Sequence, residues 1–462
     1  MKKIILIFLA IILFNGKAFS APLSKALLQA YNENPVLNAE RENIQVSRED
    51  VKISRSEFLP SVTLSGSKSQ ENTEKLTDGT GANSSFTDVD PKTQSINIEQ
   101  KLFQGFAGIA SMEKSKIGLT LAEAKLLKTE QEILYQAIEA YSGLIFSDEK
   151  LKINQNNVSL LKRQVETNQA RLERGQITIS DLAQSESSLA GAQAQFLQAK
   201  NGTVTAKLTY EKIIGPIVNT NTLNKNSDLT FELPKDLNEA IEISKTTNPN
   251  LIISRLEYEQ SEKDVTIARS DLSPSASLSF NSSKSDNISS SIGERDKEIL
   301  KATISWPIFN GGKNTASLNK SKNLKNRKKL LLDNALKTND ANIASAWSSF
   351  QVSKSLLNSV TAQVKAAETA NEGITVEYET GLGRSTLDVI QSNSILLNSK
   401  ISLANSAYHL CSIQAMGTKE GVCQQSMWLS VGDSAIWLGI EFECASSRTD
   451  DGWCVCHTSQ TG

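Results

Sequence analysis

Few side chains in this sequence could do chemistry. His409 and His457 are the only histidines among 462 residues, too few for most general acid–base or metal designs. Cys454-Val455-Cys456-His457 offers three donors for a soft metal, but the second ligand pair of an ordinary zinc site is missing. Gly381-Leu382-Gly383-Arg384-Ser385 lacks the lysine and the spacing of a phosphate-binding loop, and reads as the tip of a helix–turn–helix. There is no dinucleotide glycine fingerprint, no His-Glu-x-x-His and no nucleophile elbow. The expectation is a protein that is not an enzyme, with no catalytic residues, no cofactor and no resident metal.

Composition points the same way. The 49 lysines and arginines are balanced by 51 acidic residues, a net charge of −2, without the basic surplus of a nucleic-acid binder. A hydrophobic fraction of 39% and a mean hydropathy of −0.28 are too polar for a helical membrane protein. Met1-Lys2-Lys3, the apolar run Ile4 to Phe14 and the small residues around Ser20 and Ala21 read as a signal peptide over 1–20, so the protein is exported. No later stretch of about 18 apolar residues follows. All five cysteines (Cys411, Cys423, Cys444, Cys454 and Cys456) lie near the C-terminus, and an odd number leaves one thiol over.

The sequence itself comes in two copies. Leu23 to Asn34-Pro35 recurs as Leu237 to Asn248-Pro249, Phe58-Leu59-Pro60-Ser61 as Leu272-Ser273-Pro274-Ser275, and Leu102-Phe103-Gln104-Gly105 as Ile308-Phe309-Asn310-Gly311. So long a period marks a duplicated half and not a solenoid. The boundaries that follow are a first repeat over 21–214, a linker over 215–236, a second repeat over 237–420 and an atypical tail over 421–462 carrying Trp and Cys. The two Asn-Pro steps end short helices, and Pro60 and Pro274 end the next ones.

Beyond each of those prolines the period changes from helical to alternating. Val62 and Leu64, then Ile96, Ile98 and Leu102, alternate with Ser, Thr, Asn, Glu and Lys. Ala276, Leu278 and Phe280, then Leu300, Ala302, Ile304 and Trp306, do the same in the second half. Four strands are expected, at about 61–69, 93–103, 275–285 and 298–309. Their length of roughly 9 to 12 residues suits tilted membrane-crossing strands. Phe58, Phe103, Trp306 and Phe309 sit where an aromatic girdle would lie. The connectors, Gln70 to Lys92 and Asp286 to Lys297, read as mobile external loops. Four strands cannot close a membrane barrel, which takes about eight, so several copies must share one.

The remainder is helical. From Gly108 to Arg174 there is no proline, and a helix of that span would reach on the order of 100 Å. It carries two heptad seams: Leu127, Leu134, Ile138, Tyr141 and Ile145, beside Leu119, Leu126, Ile133, Ala140 and Leu144. Two seams suit a helix with a neighbour on each side, as in a closed ring. A return helix, rich in alanine, is expected from Ser180 to Ile214, and the second repeat holds similar material.

The signal peptide, the duplicated order of helices and strands, Asn-Pro after the first helix, Leu-Pro-Ser before the first strand and Phe-x-Gly after the second together resemble the TolC family of outer-membrane efflux and secretion channels. The resemblance covers about residues 21 to 420. It implies a mainly helical fold with membrane strands: a homotrimer in which each copy gives four strands to a 12-stranded barrel in outer-membrane lipid, and long helices to a periplasmic α-barrel. It also implies a passive exit duct of a tripartite efflux or type I secretion system, working with a periplasmic adaptor protein and an inner-membrane transporter. Arg174 to Asp181 and Tyr378 to Asp388 would be the helix-hairpin tips at the periplasmic entrance, where charged and tyrosine side chains hold family members shut. Carried over by position, Asp181, Tyr378, Arg384 and Asp388 take those gate roles, with Gly175 and Gly381 in the turns. Gln391 stands where the best-known members carry a second inward acidic residue. The rival expectation is a soluble periplasmic coiled-coil adaptor or scaffold.

Overall fold

The computed structural model describes residues 23–73, 87–217, 223, 234–289 and 292–419. The expected leader, most of the linker and the tail over 421–462, with its Cys-Val-Cys-His cluster, lie outside the described residues. In chain order the elements are α1 (Leu23–Glu33), α2 (Pro35–Ser56), β1 (Ser61–Lys68), β2 (Glu71–Thr73), β3 (Thr87–Val89), β4 (Lys92–Gln104), α3 (Ala107–Glu173) and α4 (Ile179–Ile213). The second half follows with α5 (Leu237–Thr247), α6 (Pro249–Ser270), β5 (Ser275–Ser289), β6 (Ile292–Ser305), α7 (Lys313–Glu379) and α8 (Thr386–Lys419). The chain divides into two compact units: Met1–Glu40, Leu126–Leu251 and Leu336–Gly462 form one, and Arg41–Lys125 and Ile252–Ala335 the other.

In the first unit a short helix packs on a long one, twice. Ala26, Leu27 and Ala30 of α1 join Ile133, Ala137, Ile138 and Leu144 of α3 in one core, and Ala240 of α5 joins Ile343 of α7 in another. Both heptad seams are used, since Ile133, Leu134, Ile138, Ala140, Tyr141 and Leu144 are all buried, whereas Leu127 stays 39% exposed. The Asn-Pro steps do more than end a helix. Asn34 Oδ1 accepts the backbone N–H of Val36 at 3.0 Å and Asn248 Oδ1 that of Asn250 at 2.8 Å, so each Asn caps the helix that starts at its proline. Their amide nitrogens reach outward, Asn34 to the Ile213 carbonyl (3.1 Å) and Asn248 to Asn339 Oδ1 (2.7 Å).

The second unit is built on an antiparallel sheet of order β1-β4-β5-β6. Its register sorts the side chains by face. Val62, Ile98, Phe280 and Leu300 pair in one row, and Leu278–Ala302 and Ala276–Ile304 continue that face. The neighbouring rows, Ser61–Glu99–Ser279–Lys301 and Ser65–Ser95–Ser283–Lys297, form the other, polar face. On the apolar face Leu64 is 78% exposed and Ile304 79%. Among the described residues nothing in the unit covers that face. A bulge at Leu102, between Lys101 and Phe103, bends the end of β4.

The second expected loop is different in the structure. Most of Asp286 to Lys297 is strand, because β5 and β6 keep pairing after the apolar row has run out. Both faces are polar there, so the sequence carries no two-residue signal. In the first connector β2 and β3 also pair.

At the helix end of the sheet, Gly105 has φ +59°, and a Cβ there would stand 2.6 Å from Ser273 Cβ, so only glycine fits. Of the expected girdle, Phe58, Phe103, Trp306 and Phe309 are all exposed at this end, with the Trp306 indole N–H donating to the Leu272 carbonyl at 3.1 Å. The helical segments of this unit are tied in sequence. Ser54 of α2 bonds Ser115 of α3. Glu113 and Lys114 of α3 pair with Lys263 and Asp264 of α6, and Glu257 and Glu262 of α6 pair with Lys328 and Lys325 of α7.

Candidate functional site

The two hairpin turns, α3 to α4 and α7 to α8, are built alike. Each long helix closes with a glycine in the left-handed region, Gly175 at φ +68° and Gly381 at φ +79°. The Gly175 and Gln176 N–H groups return to the Leu172 (2.8 Å) and Arg171 (2.9 Å) carbonyls, and those of Gly381 and Leu382 to Tyr378 (3.4 Å) and Glu377 (2.9 Å). This is the two-bond Schellman closure at both ends. Gly383, at φ +81°, accommodates the one extra residue of the second turn.

Each return helix then opens with a capping box. The Asp181 N–H donates to Thr178 Oγ1 (3.3 Å), and Asp181 Oδ2 accepts the Thr178 backbone N–H (3.0 Å) and hydroxyl (2.7 Å). Ser385 and Asp388 repeat this at 3.2, 2.8 and 2.8 Å. These bonds hold both carboxyls below the usual carboxylate range. For Asp181 the Thr178 hydroxyl contributes most, for Asp388 the Ser385 backbone N–H.

Between the turns runs a buried polar chain. Tyr378, 7% exposed, donates its hydroxyl proton to Asn168 Oδ1 at 2.8 Å and lies 3.0 Å from Thr386 Oγ1, which is left to act as donor to it. Asn168 is fully buried, and its Nδ2 donates to Ser185 Oγ (2.7 Å), which donates to the Asp181 carbonyl (3.0 Å). The guanidinium carbon of Arg171 lies 4.3 Å over the Tyr378 ring. One directional path therefore links α8, α7, α3 and α4.

Of the residues expected at the tips, the structure joins Tyr378 to Asp181 through Asn168 and Ser185. Arg384 goes elsewhere: its Nε donates to Glu377 Oε2 at 2.6 Å, across its own turn. Asp181 and Asp388 are committed to their caps. Asn168, Ser185, Thr386 and Glu377 were not singled out from the sequence, although Thr178-x-x-Asp181 and Ser385-x-x-Asp388 do carry the capping-box spacing. Ile179 and Leu382 stand at the tips 74% and 72% exposed. Among the described residues no group of His, Cys, Asp and Glu could hold a metal ion, and no helix is long and apolar enough to cross a membrane.

A sheet with one face left for hydrocarbon and two hairpins joined at their tips describes the protomer of a transport channel. The chain belongs to the outer membrane efflux protein family, whose model matches residues 26–216 and 240–415. It is 25% identical over 398 residues to Outer membrane efflux protein BepC of Brucella suis biovar 1, covering 86% of this chain and 84% of that one. It is 22% identical to Outer membrane protein TolC of Vibrio cholerae, covering 90% and 96%. Its fold matches the crystal structure of the Campylobacter jejuni CmeC outer membrane channel with a TM-score of 0.75 at 18% identity, over 87% and 86% of the two chains. The resemblance read from the sequence is thereby established, with its fold and its location in the outer membrane, extending into the periplasm.

Proposed function

We propose that the protein is the passive exit duct of a tripartite efflux or type I secretion system, a trimer closed at rest by its helix tips. The observation that carries this is a four-stranded sheet that, among the described residues, has an uncovered apolar face and one unpaired edge on each outer strand, β1 and β6. In lipid an unpaired edge costs several kcal/mol per exposed polar group, so edges must meet. Three copies of four strands give twelve, enough for a water-filled lumen lined by the Ser/Thr/Asn face. A soluble adaptor would have no use for such a face.

Cargo would enter from an inner-membrane transporter through a periplasmic adaptor, and the chain itself would hydrolyse nothing. The gate is the chain from Thr386 through Tyr378 and Asn168 to Ser185, with the Arg384–Glu377 pair and the two capping boxes fixing the turns around it. Opening moves one hairpin away from the other and breaks that chain, so a partner opens the duct by binding the separated state more tightly. The exposed Ile179 and Leu382 offer that partner an apolar foothold.

The test is native mass spectrometry of outer-membrane protein purified in detergent. A mass of three chains supports the reading, and a lipid-indifferent monomer recovered from the periplasm refutes it.

A further inference from the structure

We infer that the free face of α2 in one copy packs against the free face of α7 in the next, in an antiparallel seam of one charged layer between two apolar ones. The inference rests on the trimeric reading and specifies which helical surfaces join the copies. The ties Ser54–Ser115, Lys263–Glu113 and Lys325–Glu262 set the helical order α2, α3, α6, α7 in the sheet-bearing unit. This follows the strand order, so α2 and α7 are the terminal helices as β1 and β6 are the terminal strands. Closing β1 of one copy onto β6 of another brings these two helices together.

Each terminal helix carries a stripe with no partner among the described residues of its own chain. On α2, Val46 and Ile53 are 57% and 64% exposed, with Asp50 between them. On α7, Leu324 and Leu331 are 45% and 44% exposed, with Arg327 between them. Among the described residues neither Asp50 nor Arg327 makes an ion pair, whereas the adjacent Glu49 is held by Lys52 at 2.7 Å. The spacing within the two stripes is the same, seven residues between apolar positions, and the central charges are opposite.

The ties within the unit also bound the heights. Ser54 is level with Ser115, the neighbouring Glu113 and Lys114 are level with Lys263 and Asp264, and Glu262 is level with Lys325. Ile53 thus stands within about one turn of Leu324, and the register that sets the two level is the one that also pairs the opposite charges. The chain of α2 runs toward the sheet and that of α7 away from it. Three residues farther from the sheet on each helix come Asp50 and Arg327, and seven residues farther come Val46 and Leu331. Apolar meets apolar and acid meets base in every layer, an arrangement that fixes register as well as affinity.

The experiment uses the full chain, purified in detergent, carrying Ile53→Cys with Leu324→Cys. Oxidation should give disulfide-linked dimers and trimers, with the two positions in one cross-linked peptide, above the background of the native cysteines. Val46→Cys with Leu324→Cys, offset by roughly 10 Å along the helix, should stay at background. Asp50→Arg or Arg327→Asp alone should lower the trimer fraction about tenfold by setting like charges together, and the double reversal should restore it. A protein that is trimeric by mass yet gives no 53–324 link and no charge rescue overturns the seam while leaving the trimer intact. A thiol at position 53 that labels fully in the intact trimer likewise overturns it, since that face is then open to another partner. A monomer overturns both readings.

Discussion

The Tyr378 hydroxyl donates to Asn168 Oδ1 at 2.8 Å across 210 residues of sequence, tying the second repeat's hairpin to the first. Both partners are buried. A buried hydrogen bond holds its geometry because breaking it without water strands both groups. In the proposed gate it is the bond that stores the closed state.

Tyr378→Phe removes that donor and leaves Asn168 Oδ1 only the weaker contact from Gln164 at 3.4 Å. The loss should be about 1–2 kcal/mol, borne by the closed state alone. In planar bilayers the variant should open roughly tenfold more often, since about 1.4 kcal/mol is a factor of ten. Unchanged gating would remove Tyr378 from the gate.

Asp181 and Asp388 give the tips a defined response to acid. Their folded-state pKa values are lowered, so the stabilisation they add is complete above the ordinary carboxylate value and is lost as pH falls through the lowered one. Conductance should be flat through neutral pH and rise only below about pH 4. In an Asp181→Asn, Asp388→Asn double variant the acid-dependent rise should shrink.

Two glycines at corresponding strand–helix turns should tolerate change differently. Both have positive φ, but a Cβ on Gly105 meets Ser273 Cβ at 2.6 Å and one on Gly311 meets nothing within 4 Å. Gly311→Ala should cost only backbone strain of about 1 kcal/mol, and Gly105→Ala several times that. Thermal unfolding of the two purified variants gives the comparison.

Arginine scanning on β6 reads the lipid face directly. Leu300 lies in the apolar row and Ile299 in the polar one, next to each other in the chain. Leu300→Arg should cost about 2–4 kcal/mol in refolding into lipid vesicles. Ile299→Arg should cost much less, because it would face water in the lumen. Equal costs would mean the sheet does not stand in a bilayer.

Much of this was legible in the sequence because it rests on local patterns. Prolines set the breaks before β1 and β5, alternation set the two faces of the sheet, and heptads set the seams of α3. What the sequence hid was polar structure without a period. Asn168 and Ser185 look like ordinary solvated helix residues, and only the meeting of two hairpins gives them a role. The polar ends of β5 and β6 read as loop because strand pairing beyond the apolar band leaves no pattern in side-chain polarity. Arg384 was expected to bond between coils, whereas the turn folds it back onto Glu377, seven residues earlier.

Planar-bilayer recording of the purified, detergent-extracted protein decides whether the chain forms a pore. A trimeric duct should give discrete, long-lived conductance steps of uniform size, enlarged or more frequent in Tyr378→Phe. A membrane that stays silent at every protein concentration, with the protein left in the aqueous phase, would contradict it.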